Sequence, residues 1–312
     1  MISPEMASSI INLAIVMSTP VAIASVGEVF SQRSGVVNLG VEGIMLMGAF
    51  LSFHLSYITN NLLLSYIVAT AVGTLLALLH AFLTVTLRLD QTISGMGIYF
   101  LGFGLSDFLY KVLYGTKYVS ISKANPISIP ILSSIPIVGY SFFNQYPSVY
   151  TLYLLLPAGW FILEKTKYGL YMKAVGENPR VADSLGVNVV LYRYINVAFG
   201  GALAGLAGAS LCLDITGLFY ENLTMGMGFI AVGLVAFGKW SPLRAFAGSL
   251  VFGFTWSISS TLQTYFQRIG LASYVYLLLM LPYLAVIAAL VVMSRKARGP
   301  GSLGQPYYRE ST

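Results

Sequence analysis

The sequence predicts an all-α, polytopic membrane protein in which residues 1–312 form a single transmembrane domain. Of the 312 residues, 57% are hydrophobic and only 9% are charged, whereas a soluble domain carries about 25% charged residues. Apolar runs close to the roughly 20 residues that a helix needs to cross a bilayer recur along the whole chain. These runs lack the alternation of polar and apolar residues that a transmembrane barrel would show.

Nine of these runs are candidate membrane-spanning helices. The fifth and the seventh are shorter than a full crossing requires, so either could be a half-helix or a re-entrant element. With that allowance, the prediction is about nine spans, within a range of eight to ten. The candidates are Ala7–Val26, Val37–Tyr57, Leu62–Val85, Thr92–Leu113, Val149–Leu163, Leu191–Leu211, Met225–Phe237, Ala245–Gln263 and Tyr274–Met293.

The basic residues predict the orientation, because Lys and Arg accumulate in cytoplasmic loops. If the C-terminal tail, residues 294–312, is inside, only Lys111, Lys117, Lys123 and Arg268 of the 17 basic residues fall outside. The net charge of +6 therefore reflects membrane topology, and nucleic acid is not an expected partner. The N-terminus is then outside, and it lacks the basic start of a cleaved signal peptide, so the first span is expected to be retained. The predicted inner set is Arg33, Arg88, Lys165, Lys167, Lys173, Arg180, Arg193, Lys239, Arg244, Arg295, Lys296, Arg298 and Arg309.

Several function classes are excluded by what the sequence contains. Its one cysteine, Cys212, excludes an internal disulfide and a cysteine-based metal cluster, and the two histidines lack partners at ligand spacing, so no metal site is expected. The run GLVAFGK nearly completes a phosphate-binding loop, but Trp240 stands where Ser or Thr would bind magnesium. With no catalytic constellation, no catalytic residue is assigned, and the chain is predicted not to be an enzyme.

Polar residues interrupt the apolar pattern between the first two predicted spans. The stretch Gly27–Phe50, GEVFSQRSGVVNLGVEGIMLMGAF, carries Glu28, Asn38 and Glu42 among several glycines. An ionisable residue beside a membrane span lies either at an interface or in a polar pathway, and glycine allows a broken or re-entrant backbone. If helical, Asn38 and Glu42 would share one face. The residues predict either a glycine-hinged joint in a transport pathway or a charged turn between two spans.

Two loops are long. The loop at residues 114–148 is predicted to be extracellular, and its prolines argue against a long helix, so we expect a compact cap. The loop at residues 164–192 is predicted to be cytoplasmic. Within it, Asn178 followed by Pro179 is typical of an N-cap with proline at the first helical position. The resulting short helix, ending near Gly186, is either a docking element for another protein or part of an ordinary solvated loop.

Three features inside the spans have simple structural interpretations. Asp107 and Lys111 are spaced to form an ion pair near the outer end of the fourth span, with a pathway role for Asp107 as the alternative. Asn196 is expected to form an interhelical hydrogen bond. The run GGALAGLAGAS in the sixth span repeats small residues at intervals of four, which lets helix backbones touch.

Three stretches resemble the permease subunits of bacterial and archaeal ABC importers, within the branched-chain amino acid and ribose type, and are most similar to the branch for nucleosides and simple sugars. They are the Gly27–Phe50 stretch, DQTISGMGIYFLGFGLSDFLY at Asp90–Tyr110 and MKAVGENPRVADSLGVNV at Met172–Val189. The first and third are specific motifs, and together the three cover the first two-thirds of the chain. Tyr99 stands where this pattern favours a small polar residue such as Asn, which leaves the substrate class open.

The resemblance implies a permease of the vitamin-B12-type importer architecture that moves a nucleoside or simple sugar by alternating access. The implied partners are a cytoplasmic ATPase, a second homologous permease and an extracellular solute-binding protein, with ATP and magnesium bound by the ATPase and no cofactor in this chain. The implied location is the plasma membrane, with the coupling loop and the C-terminus in the cytoplasm. The resemblance also implies that the short loop helix is a coupling helix, with residues Gly176, Glu177, Asn178, Pro179, Arg180, Asp183 and Gly186. The candidate pathway or gate residues are Glu28, Asn38, Glu42, Asp107 and Asn196.

Two other classes are weighed against this interpretation. One is an ion-driven secondary transporter in which Glu28, Glu42 and Asp107 carry protons. The other is a membrane-embedded enzyme that acts on lipid, which the missing catalytic constellation disfavours. Dependence of uptake on ATP or on the proton gradient would distinguish the first from an ABC importer.

Overall fold

The computed structural model describes residues 4–135, 138–293 and 298–308. The described part is a helical bundle with one small two-stranded sheet. Arg295, Lys296 and Arg309 of the predicted inner set lie outside the described residues. The helices are α1 (Pro4–Arg33), α2 (Val41–Thr59), α3 (Leu62–Ala81), α4 (Gln91–Tyr114), α5 (Val138–Phe143), α6 (Pro147–Lys165), α7 (Lys167–Glu177), α8 (Pro179–Ser184), α9 (Val189–Ser210), α10 (Met227–Phe237), α11 (Pro242–Arg268), α12 (Val275–Leu278) and α13 (Leu281–Met293), and the strands are β1 (Ile127–Ser128) and β2 (Asn144–Gln145).

Seven helical segments among the described residues are long and apolar enough to cross a membrane, counting the π-helical turns that extend α3 and α9. They match seven of the nine predicted runs. The fifth run is α6, a 19-residue helix, and the seventh is α10, a short apolar helix. The seven are Met6–Arg33, Val41–Thr59, Leu62–Thr86, Gln91–Tyr114, Val189–Thr216, Pro242–Arg268 and Val275–Val292.

Side-chain caps mark where several helices begin. The side chains of Asn61, Asp90 and Asn188 each accept a hydrogen bond from the backbone N–H three residues later, at 2.9–3.1 Å. These caps satisfy donors that the first turn of a helix leaves without a partner. Pro147 and Pro242 begin α6 and α11, where the missing N–H of proline removes no helical hydrogen bond.

Helix α9 lies at the centre of the bundle and packs against α1, α2 and α3. A Cβ atom at Gly205 would meet the backbone of Ala69 and Gly73 on α3, and one at Gly208 would meet the backbone of Met45 on α2. These contacts confirm that GGALAGLAGAS is a packing motif, because only small residues let helix backbones approach so closely.

The two ends of α9 define two ends of the bundle. Val189, at its start, packs with Val175 of α7 and Ala182 of α8. At its other end, the backbone N–H of Ile121 donates to the carbonyl of Gly217 at 2.9 Å. We call these the α7–α8 end and the loop end. The helix with its extension has 28 residues, and a rise of about 1.5 Å per residue separates the ends by the thickness of a bilayer.

The loop at residues 114–148 is folded over the loop end. Strand β1 pairs antiparallel with β2, and Asn12 of α1 donates to the carbonyls of Tyr140 and Asn144 at 3.0 and 3.1 Å. The expectation of a compact cap without a long helix is confirmed for the described part of this loop, which omits residues 136 and 137.

The junction between α1 and α2 differs from the sequence prediction. Helix α1 continues seven residues past the predicted end at Val26, and α2 begins at Val41 instead of Val37. Asn38 therefore lies in a non-helical turn, so the predicted start of the second span at Val37 is wrong and Asn38 does not share a helical face with Glu42. The helix extends because Glu28 and its neighbour one turn later, Gln32, bond to each other inside it.

Helix α10 follows a run without helical structure and does not complete a full-length helix. The ring of Phe219 packs against that of Phe50 on α2, with 5.4 Å between centroids, while the backbone of Gly226 reaches Glu42 at the start of α2. Residues 219–226 therefore run beside α2 in the opposite direction, and α10 continues toward the α7–α8 end. The seventh predicted span is a half-helix.

Candidate functional site

The Glu42 carboxylate lies between the N-termini of two helices. It is in the first turn of α2, and it accepts hydrogen bonds from the hydroxyl of Thr224 at 2.5 Å and the backbone N–H groups of Gly226 and Gly228 at 2.7 and 2.6 Å. Only 1% of Glu42 is exposed. A helix N-terminus carries partial positive charge and unpaired N–H groups, so one buried carboxylate complements two such ends and joins α2 to α10.

The opposite end of α10 is held by Arg33, the last residue of α1. Its Nε donates to the carbonyl of Trp240 at 2.9 Å and its Nη2 to that of Lys239 at 3.3 Å. Both acceptors have positive φ, 49° at Lys239 and 55° at Trp240, which is uncommon for residues other than glycine. A cation here also complements the negative end of α10. Glu42 and Arg33, from the two sides of the α1–α2 turn, thus bind the two ends of the half-helix.

A buried polar network connects this turn to the same half-helix. Glu28 Oε1 accepts from the backbone N–H of Asn38 at 3.0 Å and from Gln32 Nε2 at 3.1 Å, and Gln32 Oε1 accepts from Trp240 Nε1 at 2.8 Å. Trp240 is 6% exposed, so its indole ring is packed inside the bundle as part of this network. The side chain of Asn38 accepts from the N–H of Gly40 at 2.9 Å, which shapes the turn before α2.

The structure therefore brings Glu28, Asn38 and Glu42 together as parts of one α1–α2 joint. A charged turn open to solvent, the alternative that the sequence left open, is contradicted because all three are at most 2% exposed. Separating α2 from α10 is costly, because breaking the Glu42 contacts would leave a buried carboxylate and buried backbone N–H groups without partners.

Asp107 is separate from this joint. It forms the predicted ion pair with Lys111 at 2.6 Å, and Lys111 also approaches Glu221 at 3.4 Å. The Lys111 side chain is 58% exposed. Exposed pairs of this kind contribute little to stability. The 2.6 Å contact supports the interpretation of Asp107 as the ion-pair partner of Lys111.

Replacing Asp107 with asparagine is expected to leave uptake within about two-fold of the wild-type rate, because surface ion pairs are worth little. The measurement is initial uptake of radiolabelled solute into membrane vesicles. Lys111→Gln, which removes the other partner, should behave in the same way. A loss confined to the Asp107 variant would restore the carboxylate to a pathway role.

Asn196 links α9 to the segment that was predicted to dock a partner. Its Oδ1 accepts from the hydroxyl of Tyr168 on α7 at 3.1 Å, and its Nδ2 donates to the carbonyl of Tyr192 at 2.7 Å. The expected interhelical bond is confirmed, and its partner element is α7. Burial raises the pKa of the Tyr168 phenol, so the phenol remains a donor at neutral pH.

The predicted coupling residues form a bent helical pair, α7 and α8. Asn178 caps α8 by accepting from the N–H of Val181 at 3.2 Å, Pro179 begins the helix, and Gly186 follows it with φ of +83°. These features confirm the short helix and its stop signal. The preceding helix α7 was not predicted. Glu177 and Arg180 are exposed at the bend, whereas Asp183 is half-buried.

Gly176 anchors this pair to the α1–α2 joint. A Cβ atom there would collide with the carbonyl of Arg33 and would lie 3.3 Å from the N–H of Gly35. The backbone of α7 therefore touches the turn that holds α10. A displacement of α7 and α8 would therefore act directly on the α1–α2 joint.

Two buried charged residues in α9 were missed by the sequence reasoning. Asp214, in the π-helical extension of α9, accepts hydrogen bonds from the hydroxyls of Tyr66 on α3 and Ser148 on α6. Arg193, assigned to a cytoplasmic loop, is fully buried in the second turn of α9. The signal for Asp214 was a carboxylate inside an apolar run, which marks functional or structural polar contacts within a membrane. Arg193 had no such local signal, since its partners lie more than 100 residues away.

The chain matches one protein family over nearly its whole length. The model of the family described as "Branched-chain amino acid transport system / permease component" matches residues 10–292. No solved structure matches the chain.

The relatives of the chain include proteins named as ABC transporter permeases. The chain is 37% identical to the guanosine ABC transporter permease protein NupQ of Bacillus subtilis over 98% of both chains. It is 39% identical to the putative glucose ABC transporter permease protein TsgC13 of Haloferax volcanii, over 85% of this chain and 80% of that protein. It is 38% identical to the nucleoside ABC transporter permease protein NupC of Lactococcus lactis, over 78% of this chain and 80% of that protein.

Proposed function

Because the chain belongs to the family of branched-chain amino acid transport system permease components, we propose that it moves a nucleoside or a simple sugar across the plasma membrane by alternating access. The chain is the membrane-embedded permease subunit of an ABC importer and is not itself an enzyme. The observation that carries the solute class is the similarity to two nucleoside permeases and one sugar permease, one of them matched over 98% of both chains. The ion-coupled alternative is not favoured.

The Glu42 site supports an uncharged solute. In transporters with broken helices, half-helix N-termini can face the anionic group of a substrate. Here the two N-termini that converge are already complemented by the protein's own carboxylate, through three hydrogen bonds of 2.5–2.7 Å. A neutral nucleoside or sugar needs no such charge complement, whereas an anionic solute would face the buried carboxylate.

The α7–α8 pair is the proposed docking element for the ATPase. Its bend exposes Glu177 and Arg180, and apolar side chains beside them, Leu170 and Leu185, are 64% and 78% exposed. Exposed apolar and charged groups on a short helical pair are typical of a protein interface. ATP and magnesium are bound by the ATPase in this proposal, and this chain carries no cofactor.

The proposed topology has nine crossings in the vitamin-B12-type arrangement. The seven long helices, α6 and the half-helix α10 with its extended lead-in make up the nine. In this topology the α7–α8 end and the C-terminus are cytoplasmic and the loop end and N-terminus are outside, an orientation supported by the distribution of the basic residues. A solute-binding protein docks at the loop end, and a second homologous permease completes the pathway.

The mechanism follows from the contacts of the joint. ATP binding closes the ATPase dimer and displaces α7–α8, which touches the α1–α2 turn at Gly176. The turn carries Glu42 and Arg33, so the half-helix α10 moves with it. A partner shifts such an equilibrium only by its differential affinity for the two states, so docking must differ between the inward-open and outward-open forms.

A pull-down of the tagged protein from gently solubilised membranes tests the proposal, with mass identification of its partners. An ATPase and a second permease are expected. The reconstituted complex is then assayed with radiolabelled guanosine, glucose and leucine, and ATP-dependent uptake of guanosine or glucose but not leucine is expected. Recovery of this chain alone, active in liposomes without ATP, would reverse the proposal.

Changing Arg180 to alanine is expected to abolish uptake without lowering the amount of protein in the membrane, because its exposed side chain belongs to the proposed docking surface. Glu177→Gln should lower uptake by the same route. Lys167→Ala, an exposed change at the start of α7, is the matched control. The readouts are uptake and co-purified ATPase per permease, and normal values of both in the Arg180 variant would remove it from the interface.

A further inference from the structure

Residues 298–308 lie against the α7–α8 end. The backbone N–H of Ser302 donates to the carbonyl of Gly176 at 2.9 Å, and that of Gly301 donates to Glu177 Oε2 at 3.2 Å. On the other side, the N–H of Gly304 donates to the carbonyl of Gly35 at 3.2 Å. The same short segment therefore bonds to the helical pair and to the α1–α2 turn.

A buried cation anchors this segment to α9. Arg193 is 0% exposed, and its Nη1 donates to the carbonyl of Gln305 at 3.1 Å while its Nη2 lies 3.3 Å from the hydroxyl of Ser302. Among the described residues, no carboxylate forms a salt bridge with this guanidinium. Since a buried charge without partners is strongly destabilising, Arg193 depends on the segment, and the segment is held in place by Arg193.

Ser302 is the point where the contacts meet. Its hydroxyl donates to the carbonyl of Gly176 at 2.7 Å and accepts from Arg193. A Cβ atom at Gly35, which has φ of +93°, would lie 2.9 Å from this hydroxyl and 3.0 Å from Arg193 Nη2. Three elements distant in sequence (the turn after α1, the end of α7 and the start of α9) therefore converge on one serine.

The segment also reaches the far end of the half-helix. A Cβ atom at Gly299 would lie 3.0 Å from the ring of Trp240, whose carbonyl is bound by Arg33. Arg88, two residues after the extension of α3, lies over the ring of Tyr308, with 4.8 Å between its guanidinium carbon and the ring centroid. Contacts at both termini of the segment spread its attachment over the whole α7–α8 end.

We propose that residues 299–305 are a connecting element that transmits the displacement of α7–α8 to the α1–α2 joint, with Arg193 and Ser302 as its positioning residues. The inference rests on the proposed docking of an ATPase to α7–α8. The direct contact at Gly176 supports the joint at one point, and the connecting segment adds bonds on both sides of it, so that the pair and the joint move as one body. Loss of this connection leaves docking intact and separates ATP hydrolysis from transport.

The test is Ser302→Ala in the complete complex with its ATPase, partner permease and binding protein, reconstituted in proteoliposomes. Solute uptake and ATP hydrolysis are measured in one preparation, together with the ATPase bound per permease. We expect solute taken up per ATP hydrolysed to fall by about ten-fold, with ATPase binding unchanged, as one networked hydroxyl is lost. Arg193→Lys keeps the charge but not the planar two-point geometry. It is also expected to lower the solute taken up per ATP hydrolysed while leaving ATPase binding unchanged.

Thr264→Ala is the matched control, because it removes an exposed hydroxyl that donates to a backbone carbonyl within α11, outside the connecting element. It should retain wild-type uptake per ATP. If both positioning variants keep wild-type coupling, or if uptake, hydrolysis and assembled complex all fall in proportion, the connecting role is refuted. Failure of the wild-type chain to bind an ATPase would refute the proposed function itself, and the two failures are thereby distinguished.

Discussion

Replacing Glu42 with alanine is expected to reduce solute uptake to background while most of the protein still reaches the membrane. The carboxylate accepts from Thr224, Gly226 and Gly228 at the start of α10. A buried donor left without an acceptor costs about 1–3 kcal/mol, and the two helix N-termini also lose their compensating charge. The half-helix would then leave its place beside α2, although the α9 packing that holds the bundle together is untouched.

A second variant at position 42, with a control elsewhere, separates the charge of the side chain from its shape. Glu42→Gln keeps the size of the side chain but offers one acceptor oxygen and turns an N–H₂ donor toward backbone donors, so we expect uptake to remain severely impaired. Glu221→Ala is the matched control, because this carboxylate lies in the run before α10 and its side chain is 57% exposed. Uptake and membrane abundance are measured for each. Glu42→Ala vesicles that transport at more than half the wild-type rate would show that α10 does not depend on this carboxylate.

Local sequence signals predicted those parts of the structure that are determined by residues close together in the chain. The cap at Asn178, the proline after it and the glycine at position 186 all interact within a few residues, and the short helix α8 begins and ends as predicted. The small residues of α9 are equally informative, because a fixed interval of four places them on one helix face whatever packs there. The existence of α8 and the close backbone approach of α9 to its neighbours could therefore be predicted from the sequence.

The partners of the polar residues were not predictable from local patterns. Glu42 was selected as a pathway or gate residue, but the groups it binds lie more than 180 positions later in the chain. Arg193 looked like an ordinary loop cation because it follows the α7–α8 segment closely, and only the return of residues 302–305 explains its burial. Long-range hydrogen bonds of this kind leave no periodicity in one sequence. The composition could predict that a buried charge needs a partner, but not which one.

The same limit applies to helix ends at the α1–α2 joint. Glu28 and Gln32 lower the local hydropathy, so the first span was predicted to end at Val26. In the structure both side chains are at most 4% exposed and bond within the network that includes Trp240. Polar residues whose hydrogen bonds are satisfied inside a bundle can extend a buried helix, so hydropathy alone places such a boundary too early.

Replacing Gly205 with leucine is expected to reduce the yield of folded protein by about ten-fold or more, because overpacking here acts on backbone and not on a side chain that can move aside. A Cβ atom at Gly205 would meet the backbone of Ala69 and Gly73 on α3. Added atoms could be accommodated only if α3 and α9 separated along their common face. Since α9 also contacts α1 and α2, that separation would loosen the packing that supports the α1–α2 joint.

Gly104→Leu is the matched control, because a Cβ atom at this exposed glycine of α4 meets nothing within 4 Å. Both variants change a transmembrane glycine to the same residue, so insertion and helix propensity affect them alike. The measurement is the monodisperse fraction of detergent-solubilised protein by size-exclusion chromatography. Equal yields for the two variants would mean that α3 and α9 are not held in direct backbone contact. A loss confined to Gly205→Leu, beside a Glu42→Ala variant that is folded but inactive, would separate the packing that builds the bundle from the buried carboxylate that controls its half-helix.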